Sequence, residues 1–129
     1  MIYVADTHAL VWFLEGSTRL SVTVRETLIS VEAEIVIPAI VLAEIAFLFG
    51  RNRVNVDLPT VLGYLSCAEN CAIYPLDEAV VEHLPTELNI HDGLIVATAL
   101  IFHDVLKKDV AIVTKDQEIA RSGIVQTVW

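Results

Sequence analysis

Basic side chains are scarce in this chain: 8 Lys plus Arg stand against 17 Asp plus Glu, for a net charge of −9. That balance argues against a protein that grips nucleic acid through a broad basic face. It leaves room for an enzyme whose acids hold metal ions, because a bound cation inverts the local field. The few basic pairs, Arg51 with Arg53 and Lys107 with Lys108, read as solvated helix ends rather than phosphate contacts. Cysteine is scarce as well. Cys67 and Cys71 stand four apart in a helical pattern, with no second pair to complete a zinc site, and read as reduced core thiols of a cytoplasmic protein. No long apolar run is present either. The most apolar segment, Ile35 to Phe49, contains Pro38 and Glu44 and is shorter than the roughly 20 residues that cross a bilayer. A basic n-region and a cleavage site are missing at the start, which predicts no signal peptide and no membrane attachment. Internal repeats, linkers and low-complexity stretches are absent too.

Hydrophobic residues are plentiful, at 55% of 129. That length predicts one domain over residues 1–129 with one core. The apolar excess predicts a buried sheet and a self-association surface, hence a homodimer. The run Ile2 to Ala5 reads as a strand buried on both faces, and Ala9 to Leu14 as a helix. A second helix is expected over Leu20 to Val31, then a strand at Ile35 to Ile37 stopped by Pro38. Ala39 to Gly50 is apolar nearly all round, which predicts a buried helix. Asp57 and Pro59 start a helix running to Ala68. Ala72 to Tyr74 reads as a third strand, and Asp77 caps a helix over Glu78 to Leu84. Gly93 to Phe102 reads as a helix preceded by His91 and Asp92. Val110 to Val113 is a fourth strand, followed by a short helix to Arg121 and an edge strand over Val125 to Val128. Strands alternating with helices predict an α/β fold, a parallel sheet with helices on both faces.

Acids at particular places carry the chemistry. Asp6 ends a buried strand, where an open parallel sheet places its ligand crevice; capping the next helix is the competing role. Glu44 has Ile40, Val41, Phe47 and Leu48 as helical neighbours, none able to pair with a carboxylate. A charge on such a face costs several kcal/mol unless a distant base or a bound cation satisfies it. Asp92 and Asp116 also stand at helix starts, Asp116 just after a buried strand. Asp57 and Asp77 do the same and are assigned no chemistry, so only convergence separates the two groups. Thr7 and Thr114 flank two of the candidates, as ordinary turn hydroxyls or as groups that orient a water or a carboxylate. His8, His91 and His103 share no metal-ligand spacing and read as surface or cap residues.

These residues fall into a known order. Asp6-Thr-His-Ala-Leu-Val-Trp12 resembles the opening motif of PIN domains, and Ala43-Glu44-Ile45 their second acid. Asp92-Gly-Leu-Ile-Val-Ala-Thr-Ala99 resembles the third, and Ile112-Val-Thr-Lys-Asp116 the fourth. The resemblance spans essentially the whole chain, and within the family it is closest in kind to VapC-type toxins of toxin–antitoxin pairs. Gly93 departs from it, since relatives often carry Arg there. The resemblance implies a PIN-like three-layer α/β/α fold with strand order 3-2-1-4-5 and a switch point between the first and fourth strands. It implies that Asp6, Glu44, Asp92 and Asp116 form one catalytic site for one or two Mg2+ or Mn2+ ions, with Thr7 and Thr114 behind them. Hard divalent cations favour such oxygen ligands. Asp6, Asp92 and Asp116 would ligate directly or through water, and Glu44 would orient or deprotonate the attacking water. The implied activity is endoribonuclease, the implied partners an RNA substrate and a small antitoxin. Mutual repulsion would raise the pKa of some of the acids in the metal-free protein. Two other readings compete: a non-catalytic PIN-like scaffold, and a phosphoacceptor domain of response-regulator type using Asp77 and Lys115.

Overall fold

Five parallel strands organise the computed structural model, which describes residues 1–129. They are β1 (Ile2–Ala5), β2 (Glu34–Pro38), β3 (Cys71–Tyr74), β4 (Val110–Val113) and β5 (Thr127–Val128), in the order β3-β2-β1-β4-β5. This is the expected order. Successive strand residues point to opposite faces, and every residue of β4 and all of β2 after Glu34 are buried; helices therefore cover both sides of the sheet centre. Val4, Ile37 and Ile112 sit at the middle of the main apolar cluster.

The helices are α1 (Thr7–Glu15), α2 (Val22–Ile29), α3 (Ala39–Gly50), α4 (Leu58–Cys67), α5 (Glu78–Glu82), α6 (Ile90–Leu100) and α7 (Gln117–Ser122). Asp6, Ser21, Asp57, Asp77, Asn89 and Asp116 each accept a backbone N–H at a helix start, satisfying donors that the first turn leaves free. Only α3 lacks a side-chain cap; it turns directly out of Pro38. Packing must hold its start.

Several elements depart from expectation. Ser21 and Ser30 bound α2, so Leu20 and Val31 lie outside it. Asn89 caps α6, which starts at Ile90, three residues before Gly93. Past Leu100 the helix widens into a single π turn, Ile101–Val105, closed by the N–H of Leu106 donating to the carbonyl of Ile101. Helix α3 is not buried as a whole. Val41 and Ile45 are, while Phe47 is 59% exposed and Phe49 42%. Its face away from the sheet has no cover, and apolar composition alone could not show that. The cysteines are not core residues: Cys67 ends α4 and is exposed, Cys71 begins β3 half-buried, and both are free thiols. No helix is long and apolar enough to cross a membrane.

Candidate functional site

The register of the two central strands builds the site. Ala5 pairs with Val113, and the Asp6 N–H continues the ladder by donating to the Val113 carbonyl at 3.1 Å. One step further, Asp6 and Thr114 lie side by side beyond the carboxyl ends of β1 and β4. The Thr114 hydroxyl donates to Asp6 Oδ2, and its oxygen accepts the Asp116 N–H at 3.0 Å. Asp6 Oδ1 accepts the Ala9 N–H at 2.8 Å. Asp6 is therefore the cap of α1 and a crevice acid at once. The two roles do not compete.

Glu44 arrives from α3, which follows β2, the neighbour of β1. Its Oε1 accepts from the Thr7 hydroxyl at 3.1 Å, and its Oε2 lies 3.8 Å from His91 Nδ1. The Glu44 side chain is 25% exposed, so the carboxylate stands at a rim rather than on a wholly apolar face. Its partners are 37 residues upstream and 47 downstream in sequence, out of reach of local pattern. Asp92 sits in the first turn of α6, where its N–H donates to Asn89 Oδ1 and its Oδ2 accepts from Asn89 Nδ2 at 2.7 Å. This reciprocal cap fixes the Asp92 carboxylate in place. Asp116 Oδ1 accepts the N–H groups of Glu118 and Ile119. All four acids line one pocket of about 420 Å³, together with Thr7, His8, Trp12, Ile95 and Lys115. Asp57 and Asp77 cap their helices and do not line it. Gly93 follows Asp92 where α6 meets the chain after α5. A Cβ there would come within 2.9 Å of Leu84 Cδ1 and 3.1 Å of the Pro85 carbonyl.

Burial pushes the Asp6 carboxyl up to about 6 from its ordinary 3.8, against the opposing pull of Thr114, the Ala9 amide and His8; Asp116 adds to the rise. Asp92 is also raised, chiefly by burial, with Asp116 and Glu118 contributing and Asn89 opposing. Repulsion among the acids is thus a lesser cause than desolvation. No three acidic, histidine or cysteine side chains stand close enough to hold a metal ion by themselves. The donor set still fits a hard ion that keeps most of its water. Mg2+ is commonly held by one or two carboxylates with waters filling the other positions, and this pocket supplies oxygen donors around a space of about 420 Å³.

His8, Trp12 and Lys115 were not among the expected site residues. His8 and Trp12 stand four apart on α1 and so share the face that follows Asp6, and Lys115 lies between Thr114 and Asp116; those spacings were the available signal. His8, His91 and His103 are exposed as expected, but His8 and His91 border the acids. The phosphoacceptor reading fails on two counts: Asp77 is outside the pocket, and the observed order differs from the 2-1-3-4-5 of response-regulator sheets.

The sequence model of the PIN domain matches residues 3–124. No curated relative matches in sequence. Among solved structures, the chain is similar to one of VapBC2 from Rickettsia felis bound to a DNA fragment from their promoter. The TM-score is 0.68 at 18% identity, covering 99% of this chain and 98% of that one.

Proposed function

The chain belongs to the PIN-domain family, and from that premise we propose that it is a metal-dependent endoribonuclease acting as the toxin of a toxin–antitoxin pair. One observation carries the reading: four carboxylates from four separate segments, Asp6, Glu44, Asp92 and Asp116, line a single pocket at the switch point of the sheet. Asp6, Asp92 and Asp116 would hold Mg2+ or Mn2+, directly or through water, and Glu44 would complete the set. When bound, such an ion activates water and offsets the charge of the scissile phosphate. Thr114 orients Asp6, and Thr7 holds Glu44 where it can orient or deprotonate the attacking water. Hydrolysis by this route leaves 5′-phosphate and 3′-hydroxyl ends. Retention of all four acids argues for catalysis over a scaffold role.

The similar structure is a complex of two proteins, which supports an antitoxin partner. A groove of about 450 Å³ lined by Ile40, Ala43, Phe47 and Leu48 shares Glu44 with the acid pocket. An antitoxin helix laid there could bring an Arg or Lys to the acids. Homodimerisation and a cytoplasmic site of action complete the proposal. The test is purified protein with manganese on structured and single-stranded RNA, with Asp6→Asn to exclude contaminating nuclease. Absence of cleavage on both substrates would overturn the nuclease reading.

A further inference from the structure

Two of the chain's 8 basic side chains lie over one indole beside the acids. Trp12 is half-buried and lines the acid pocket. The guanidinium carbon of Arg19 lies 5.8 Å from a Trp12 ring centroid, and Lys115 Nζ lies 6.0 Å away. His8, one helical turn earlier, tilts against the indole at 5.4 Å, and Trp129 meets it edge-on at 5.7 Å. Arg19 and Lys115 are exposed, and like every other Lys and Arg of the chain they form no salt bridge. What sets these two cations apart is their place, around a braced aromatic surface at the mouth of an anionic pocket. A phosphodiester entering this pocket meets carboxylates, so anchorage must come from its flanks.

We propose that Trp12, Arg19 and Lys115 form a nucleotide platform: a base of single-stranded RNA next to the scissile phosphate displaces the two exposed cations from Trp12 and stacks there, and the cations swing out to neighbouring phosphates. The inference rests on the nuclease reading above and extends it to how substrate is held. Every base presents a π face, so the platform favours unpaired RNA without dictating sequence. The edge-on contact from Trp129 and the core beneath Trp12 fix the indole in advance, so little order is lost when a base stacks.

Tryptophan fluorescence tests this directly. In a Trp129→Phe background Trp12 is the one remaining tryptophan, and titration with a short unstructured RNA in EDTA should quench it. One abasic position in that RNA should weaken binding about tenfold, the size of one base–aromatic stack. In the native background with manganese, Trp12→Leu should raise KM about tenfold and leave kcat nearly unchanged, while Trp12→Phe restores most of the loss. Arg19→Gln and Lys115→Gln should each reduce the salt dependence of binding by about 0.7 in log–log slope. Lys108→Gln, at the opposite end of the strands, should change nothing. Where Trp12→Leu fails to fold, the abasic series on the unaltered protein carries the test. Cleavage with no quench, no abasic effect and an unchanged KM would make the indole and its cations a structural contact only. Quenching without cleavage would keep the platform and overturn the nuclease reading; neither quenching nor cleavage would overturn both.

Discussion

Asp6 shows what a metal-free acid pocket costs. Its carboxyl is 7% exposed and holds its proton to about pH 6 when folded, against 3.8 ordinarily. Between about pH 4 and pH 6 the folded state therefore binds more protons than the unfolded chain, and stability falls as pH rises. Above pH 6 the full penalty is present, about 3 kcal/mol at 1.36 kcal/mol per pH unit. Asp6→Asn removes it. In EDTA the melting temperature of Asp6→Asn minus that of wild type should grow from pH 4 to pH 7, and a difference flat with pH would show that Asp6 is not the titrating group. Manganese affinity should weaken as pH falls through 6, because the ligand must be ionised. Thr114 is the counterpart. Its hydroxyl donates to Asp6 and accepts the Asp116 N–H, so Thr114→Val leaves two groups unsatisfied. Denaturant unfolding at neutral pH should show a loss of about 1–3 kcal/mol. The Asp6 pH window should move upward, since that hydrogen bond is what most opposes burial.

Helix starts recur throughout this fold, and most have nothing to do with the site. Asp77 accepts the Val80 N–H at 3.0 Å and lies outside the pocket, so Asp77→Asn should lose cap energy of order 1 kcal/mol or less and keep its response to metal. Asp92→Asn should behave in the opposite way. It relieves a half-buried charge beside other acids, so the EDTA melting point should not fall, and it should lose most of the manganese-induced rise and most of the cleavage. If its melting point falls and the rise persists, Asp92 is a structural member of α6 only. The strands could be read directly from their β-branched runs, and Asp6 and Asp116 as acids following β1 and β4; position alone did not separate them from Asp57 and Asp77, and the set of four rested on the resemblance. Glu44 was legible as a charge lacking local partners, but its contacts with Thr7 and His91 are tertiary. Asn89 was missed because attention to the apolar run starts α6 at Gly93, inside its polar first turn. The π turn at Ile101–Val105 continues the same apolar pattern and leaves no mark in it. Burial of α3 was overestimated because hydropathy counts apolar residues without saying what lies opposite them.

The open side of α3 links the association of the molecule to its chemistry. Phe47 is exposed on the groove that Glu44 and His91 also line, so a partner seated there would lie against the acids. Two other exposed apolar side chains, Val22 at 72% and Ile29 at 60%, are on α2 and offer a separate surface for self-association. These assignments make a two-part prediction with Phe47→Glu. The side chain is mostly in water and outside the core, so the variant should fold and cleave RNA like wild type. A charge on the groove wall should prevent an apolar helix from docking, so co-expressed antitoxin should no longer suppress cleavage. Light scattering at micromolar concentration should give a dimer for both proteins. A monomeric wild type would remove the dimer proposal. A dimeric wild type with a monomeric Phe47→Glu would show that the groove joins two copies of this chain, and the antitoxin would then have to reach the acids from elsewhere. Full suppression of dimeric Phe47→Glu by antitoxin would likewise take the groove out of neutralisation and leave the acid pocket itself as the point of contact.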